Sequence, residues 1–321
     1  MKPKVLLTEP IPNSLQVELQ NHVDLTIGKR GFFNIEDNLV KTIGLYDGLI
    51  SMLSNPVTEP VINAGKSLKV IANYAVGYNN VHVETANLNN IKVANTPDVL
   101  TDSTADGIMA LMLATVRNIP QANDFVRTGK FDGWDPNGFL GMGLSGKKLG
   151  IVGLGRIGKA VCKRAKSFGL TIYYLNRNPL PSEQETELEV QYVSNIKELA
   201  SISDILCLTC PLNDETYHLM NKDIFKLMKN SSALNNGARG PVINEKDLFN
   251  ALTAKTISAA GLDVYEFEPK IYPGLAELNN CVLLPHIASA TFEARSAMGA
   301  LSTGAVLNVL KGLNYPCHFI N

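Results

Sequence analysis

The hexapeptide Gly153-Leu-Gly155-Arg-Ile-Gly158 constrains this chain more than any other feature. It follows the apolar run Leu149-Gly-Ile-Val152 and precedes a stretch in which Ile157, Ala160, Val161 and Ala165 recur on one helical face. Three such glycines alone are a weak signal; framed by strand and helix they read as a dinucleotide fingerprint. Gly153 permits the tight turn, Gly155 lets backbone approach a pyrophosphate, and Gly158 lets the helix sit close to the strand. The helix N-terminus adds free N–H groups and the positive end of a dipole for the phosphates. A parallel sheet with crossover helices is therefore expected around it.

The rest of the 321 residues supports that expectation. Short apolar runs alternate with helical patterns, and the length suggests about two domains. In the first third, strands are expected at Lys4–Thr8, Tyr46–Met52, Lys69–Asn73 and Ile91–Ala94. Past Lys147 they recur at Leu149–Val152, Thr171–Leu175, Ile205–Thr209, Ser232–Asn235, Ala259–Val264 and Val282–Leu284, a six-stranded doubly wound sheet. Ala105–Val116 has no polar face and is expected to be a helix covered on all sides, capped by Thr101 or Asp102. Residues 129–143, rich in Gly, Asp, Asn and Pro and holding the only tryptophan, Trp134, read as a long loop. Phe292–Leu310 reads as a helix rich in small residues.

Composition excludes several classes. A net charge of -1 argues against nucleic acid, because phosphate binding needs a concentrated basic face. No run approaches the roughly 20 apolar residues of a membrane span, and the start lacks a signal-peptide core. Five scattered cysteines suit a reducing compartment, so a cytoplasmic location is expected. Cys207-Leu-Thr-Cys210 resembles a redox or zinc pair. It ends a strand, however, where residues three apart face opposite ways, and no metal site is expected. The second strand of the dinucleotide unit ends in Asn176-Arg177-Asn178. There is no carboxylate to hold the ribose diol, and Arg177 is available for a 2′-phosphate, which favours NADP over NAD.

Three ionisable residues follow later strands: Arg239 in Asn236-Gly-Ala-Arg239, Glu268 in Asp263-Val-Tyr-Glu266-Phe-Glu268, and His286 in Leu283-Leu-Pro285-His286. Ligands of doubly wound sheets bind outside the carboxyl ends of the strands, where such loops converge. Together with Asp47-Gly-Leu-Ile50, Val70-Ile-Ala-Asn-Tyr-Ala-Val-Gly-Tyr-Asn79, Asn95-Thr-Pro97, Leu100-Thr-Asp102 and Pro211-Leu212, these segments closely resemble the D-isomer-specific 2-hydroxyacid dehydrogenases. The glyoxylate/hydroxypyruvate reductase members are the nearest in pattern, and the resemblance runs through nearly the whole chain.

The resemblance implies a Rossmann dinucleotide-binding domain, residues 100–286, inserted into a flavodoxin-like substrate domain, residues 1–99 and 287–321, with a substrate cleft that closes between them. It implies NAD(P)H-dependent reduction of a small 2-keto acid. His286 is the expected acid/base, Glu268 its orienting carboxylate, and Arg239 the clamp on the substrate carboxylate. Leu53, Ser54, Val76 and Gly77 are implied on the substrate side. Thr104, Arg156, Ile157, Cys210, Pro211, Thr216 and Asp263 are implied beside the cofactor with the glycines, Asn176 and Arg177. Glu266 is expected to face solvent. Asn79, Asn244, Ala288 and Asn235 depart from the family pattern, and Ala288 is expected to narrow the substrate side. A homodimer is expected, with Trp134 either packing within its own chain or reaching the partner's site. A dinucleotide-sensing corepressor on the same fold is the alternative, but it has no need of the Arg–Glu–His set. A short-form phosphoglycerate dehydrogenase also remains open, the length leaving no room for an added regulatory domain.

Overall fold

A computed structural model describes residues 1–321. The chain forms two compact units, Met1–Leu100 with Ala290–Asn321, and Thr101–Ser289. Leu100 thus falls in the first and residues 287–289 in the second. The first unit holds β1 (Lys4–Leu7), β2 (Asp24–Ile27), β3 (Gly48–Ser51), β4 (Val70–Asn73) and β5 (Lys92–Asn95). The second holds β6 (Lys148–Val152), β7 (Thr171–Leu175), β8 (Val190–Tyr192), β9 (Ile205–Leu208), β10 (Ala233–Asn236), β11 (Ala259–Leu262) and β12 (Cys281–Leu283). A last strand, β13 (His318–Phe319), returns to the first unit.

In the first unit the order is β13-β5-β4-β3-β1-β2, parallel except for β13, which pairs antiparallel with β5. Without β13 this is the flavodoxin-like order 2-1-3-4-5. β3 and β4 are buried at every residue, as central strands covered on both faces must be. The edge strand β2 escapes sequence reading because its four residues alternate exposed and half-buried, too short a pattern to stand out. The helix Phe292–Lys311 lies against this sheet, and its small residues allow close approach; a side chain at Gly299 would collide with Leu15.

The second unit carries β12-β11-β10-β9-β6-β7-β8, all parallel. This is the Rossmann order 3-2-1-4-5-6 extended by one strand, so the sheet has seven strands rather than the expected six. The unread strand is β8, three residues long behind the polar helix Ser182–Leu188. Alternation along β9 sends Cys207 into the core on one face and Leu206, Leu208 and Cys210 into the core on the other. Both thiols are free, with Cys207 wholly enclosed, which fits plain packing residues.

The apolar helix begins at Thr101, so Thr101 and Asp102 lie within its first turn instead of capping it. Asp102 and Asp106 there hold Arg164 of the helix Arg156–Ser167 at 3.0 and 2.5 Å. Ile108, Met109, Leu111 and Met112 are buried, but Ala110 is exposed and Leu113 only half-buried, so the helix is not covered on every side. A second helix, Ile119–Arg127, buries none of its residues. The following loop exposes Trp134 at 86%, which rules out a core role for it within the chain. No helix is long and apolar enough to cross a membrane.

Candidate active site

Arg239, Glu268 and His286 follow β10, β11 and β12, three neighbouring parallel strands, and so emerge at the same edge of one sheet. His286 Nδ1 donates to Glu268 Oε2 at 3.0 Å, leaving Nε2 as the outward nitrogen. The second oxygen of Glu268 accepts from the Tyr265 amide at 3.0 Å. Burial works to raise the Glu268 carboxyl. It is outweighed by the hydrogen bond and charge of His286, the Tyr265 amide and the Arg239 charge, so the group lies below its ordinary value.

His286 is held in a left-handed backbone conformation, φ 57°, uncommon for a residue with a side chain and costing about 1–3 kcal/mol. Asp263 holds it there. This carboxylate is buried and accepts from the amides of Ile287 and Ala288 at 2.7 and 2.8 Å. Ala288 is itself buried, its backbone so near Gly107 that a side chain there would not fit. Ala288 therefore packs against the apolar helix, contrary to the expected place on the substrate side.

Arg239 carries its charge where burial pushes the guanidinium downward, against the opposing pull of Glu268. Its Nη1 donates to the Ala238 carbonyl at 2.8 Å, and no carboxylate lies within ion-pair distance. Its remaining donors are left for an anion. Asn236 fixes this loop, donating to Arg239 O and accepting from Ala238 N, both at 3.0 Å.

The glycine turn tests whether a dinucleotide fits. Gly153 has φ 94°, and a side chain on it would meet Cys210 Cα at 2.5 Å; one on Gly158 would meet Gly153 O at 2.4 Å. These two glycines are required by the fold itself. A side chain on Gly155 would meet nothing within 4 Å, so its absence serves only the space above the turn. Gly155 precedes the helix Arg156–Ser167 and offers no side-chain cap to its first amides. Thr104 Oγ1 is buried without a hydrogen-bond partner. An open cradle over helix amides and an orphaned hydroxyl in the same unit fit a bound dinucleotide.

Other expected cofactor residues take more local roles. Asn176 Oδ1 accepts from Leu154 N at 2.7 Å and so braces the glycine turn, while Arg177 is exposed beside it. Thr216 Oγ1 donates to Pro211 O and accepts from Asn213 N, which closes its own turn. Ile157 is half-buried and Arg156 exposed at the helix start.

Leu53, Ser54, Val76 and Gly77 lie in the first unit, after β3 and β4. Their loops are pinned by a buried amide network. Asn80 Nδ2 donates to Met52 O and Asn55 O, Asn73 Nδ2 to Gly77 O, and Asn95 Nδ2 to Val76 O. The amides of Val76 and Gly77 are not spent on bonds within the protein. Sequence reasoning missed this network, although four asparagines at or just beyond strand ends were a visible signal. It also misplaced Glu266, whose side chain is only 11% exposed and accepts from His218 Nε2 at 2.6 Å.

A Rossmann unit with an open glycine cradle and an Arg–Glu–His set at the strand ends defines a dinucleotide-dependent oxidoreductase. Residues 109–288 match the family model described as D-isomer specific 2-hydroxyacid dehydrogenase, NAD binding domain. A glyoxylate reductase of Thermococcus onnurineus is 42% identical over 305 residues, 94% of this chain and 91% of that protein. The crystal structure of a glyoxylate reductase from Paecilomyes thermophila superposes with TM-score 0.85 at 32% identity, covering 99% of this chain and 98% of that one. An NADPH-dependent glyoxylate/hydroxypyruvate reductase of Sinorhizobium meliloti, solved with NADP and malonate, gives 0.88 at 30% identity over 100% and 97%. The chain belongs to the D-isomer-specific 2-hydroxyacid dehydrogenase family and is a nicotinamide dinucleotide-dependent dehydrogenase.

Proposed function

We propose that the protein reduces a small 2-keto acid, glyoxylate or hydroxypyruvate, to the D-2-hydroxy acid with NADPH. The observation that carries this is the His286–Glu268 pair beside a half-buried Arg239 that has no carboxylate partner. The chemistry a nicotinamide would supply here, when bound, is hydride for the carbonyl carbon. As negative charge develops on the carbonyl oxygen, His286 donates its Nε2 proton to it, and Glu268 holds the ring by Nδ1 while the ring gives that proton up. Arg239 binds the substrate carboxylate with its free donors and draws electron density from the adjacent carbonyl. The unspent amides of Val76 and Gly77, with Leu53 and Ser54 on the neighbouring loop, are assigned to substrate binding within the first unit.

Gly153, Gly155, Arg156, Ile157 and Gly158 are assigned to the pyrophosphate. Thr104, Cys210, Pro211, Thr216 and Asp263 are assigned to the remainder of the dinucleotide. NADPH is favoured because exposed Arg177 stands where a ribose-binding acid would repel a 2′-phosphate. The S. meliloti relative, described as NADPH-dependent, supports that choice. Five free cysteines suit a cytoplasmic enzyme. A homodimer is proposed through the apolar side chains of Phe131, Trp134 and Leu140, all exposed.

The test is a panel of glyoxylate, hydroxypyruvate, pyruvate and bulkier keto acids against NADPH and NADH. Oxidation of NADPH with the first two is expected, and no turnover with any of them would overturn the reading. Arg177→Ala is expected to lower kcat/KM for NADPH about tenfold while sparing NADH, the loss of about one charge-assisted bond. An unchanged cofactor ratio would remove the NADPH assignment.

A further inference from the structure

We infer that Glu245 is a positioning residue for the Arg239–Glu268–His286 set, acting by tying the loop after β10 to the loop after β11. This rests on the reductase reading above only for its effect on turnover.

Glu245 opens the helix Glu245–Thr253 yet is 2% exposed. Its Oε1 accepts from the Glu266 amide at 2.9 Å, and its own amide faces Glu266 Oε2 at 3.5 Å, so the two residues clasp reciprocally. The other carboxylate oxygen of Glu266 accepts from His218 Nε2. His218 is in turn fixed to the Arg239 loop, its amide donating to Pro241 O at 2.8 Å. Asn244 Nδ2 donates to His218 Nδ1 at 3.4 Å, and Tyr217 stacks on the ring at 4.0 Å. The two loops touch directly as well, since a side chain on Gly240 would overlap the Tyr265 carbonyl carbon at 1.8 Å.

The consequence falls on Glu268. The Tyr265 amide that holds Glu268 Oε1 lies one residue before the amide that Glu245 holds. If the Glu266 amide drifts, Tyr265 drifts with it, and Glu268 loses one of the two bonds that aim it at His286. A buried carboxyl in such surroundings is costly. Its Oε2 makes no full hydrogen bond, the Tyr272 amide gives the carboxylate some relief, and Glu266 and Glu268 both oppose its charge. The remaining ionisable groups acting on it or acted on by it are Cys281 and Tyr265. Its visible return is the clasp.

The experiment compares Glu245→Gln with Glu245→Met. Both remove the charge and keep the length; only Gln keeps an oxygen acceptor for the Glu266 amide. Folding is checked by circular dichroism and dinucleotide affinity by fluorescence. For Met, kcat is expected to fall at least tenfold with dinucleotide Kd within about twofold. The Glu268 carboxyl, followed by 13C NMR on labelled glutamate, is expected to titrate higher than in the wild type. Gln is expected to recover most of both. A folded Met variant with wild-type kcat and an unmoved Glu268 titration overturns the inference. So does a tenfold loss in Gln, which remains decisive if Met does not fold. The titration needs no substrate, so a wild type inert toward every keto acid counts against the reductase reading alone.

Discussion

In the proposed reaction, His286 is the residue on which turnover depends most directly. With Nδ1 committed to Glu268, only Nε2 is free to pass a proton. His286→Ala is therefore expected to lower kcat by about 10²–10⁴-fold, the usual share of general acid catalysis, while dinucleotide affinity stays within about twofold. Turnover close to wild type would refute the proton-donor role. The legibility of these residues in the sequence was uneven. Arg239, Glu268 and His286 were readable because each sits in a distinctive loop after a strand. The hold of Asp263 on the Ile287 and Ala288 amides joins residues more than twenty positions apart, which no spacing rule reveals. Glu266 was misread for the same reason, its partner His218 being 48 residues away.

At the scale of elements, the glycine turn separates two demands that the sequence pattern merges. Gly155→Ala adds a methyl group to open space at an extended backbone of φ -81°. The variant is expected to unfold at the same temperature as wild type or slightly higher, since alanine restricts the unfolded chain. Its dinucleotide affinity is expected to fall at least tenfold, the methyl group occupying the space assigned to pyrophosphate. Gly153→Ala meets Cys210 backbone at positive φ and is expected to lose about 2–4 kcal/mol of stability from strain and overpacking. Denaturant midpoints and fluorescence titration of the two variants check this contrast; equal instability would mean that Gly155 serves the fold. Secondary structure itself was legible where period and length were strong, as in β6, β7 and β9. It was not legible at β2, β8 and β13, where two to four residues gain their strand character only from the neighbour they pair with.

For the whole molecule, acid stability follows from carboxyls shifted in opposite directions. Burial works to raise Asp204, but Lys229 at 2.8 Å and the Lys148 amide outweigh it and hold the group below its ordinary value of 3.8. A depressed carboxyl contributes stability that is present above its unfolded value and lost as pH falls through its folded one. Asp204→Asn is therefore expected to destabilise the protein at pH 7, with the difference shrinking below about pH 4. Glu245 is raised, chiefly by burial, so its cost is present at high pH and relieved as pH falls toward 4.5. Relative to Glu245→Gln, the wild type is expected to gain stability as pH falls toward 4.5, read from urea midpoints; parallel curves would contradict the burial argument. Association belongs to this scale too. Trp134→Asp is expected to shift the proposed dimer toward monomer in light scattering, and an unchanged mass would show that this loop does not form the contact.

By itself, the sequence determined the alternation of strands and helices, the dinucleotide turn and the three loops bearing arginine, glutamate and histidine. Each of these is written in local spacing, apolar period or turn chemistry. Tertiary structure alone decided which polar groups share a hydrogen bond. It turned the opening glycines into two that the fold needs and one that the fold does not, since that distinction depends on what stands opposite each missing side chain. It also joined His218, Glu245 and Glu266 across three loops, a grouping set by the adjacency of parallel strands whose intervening helices keep them far apart in the chain.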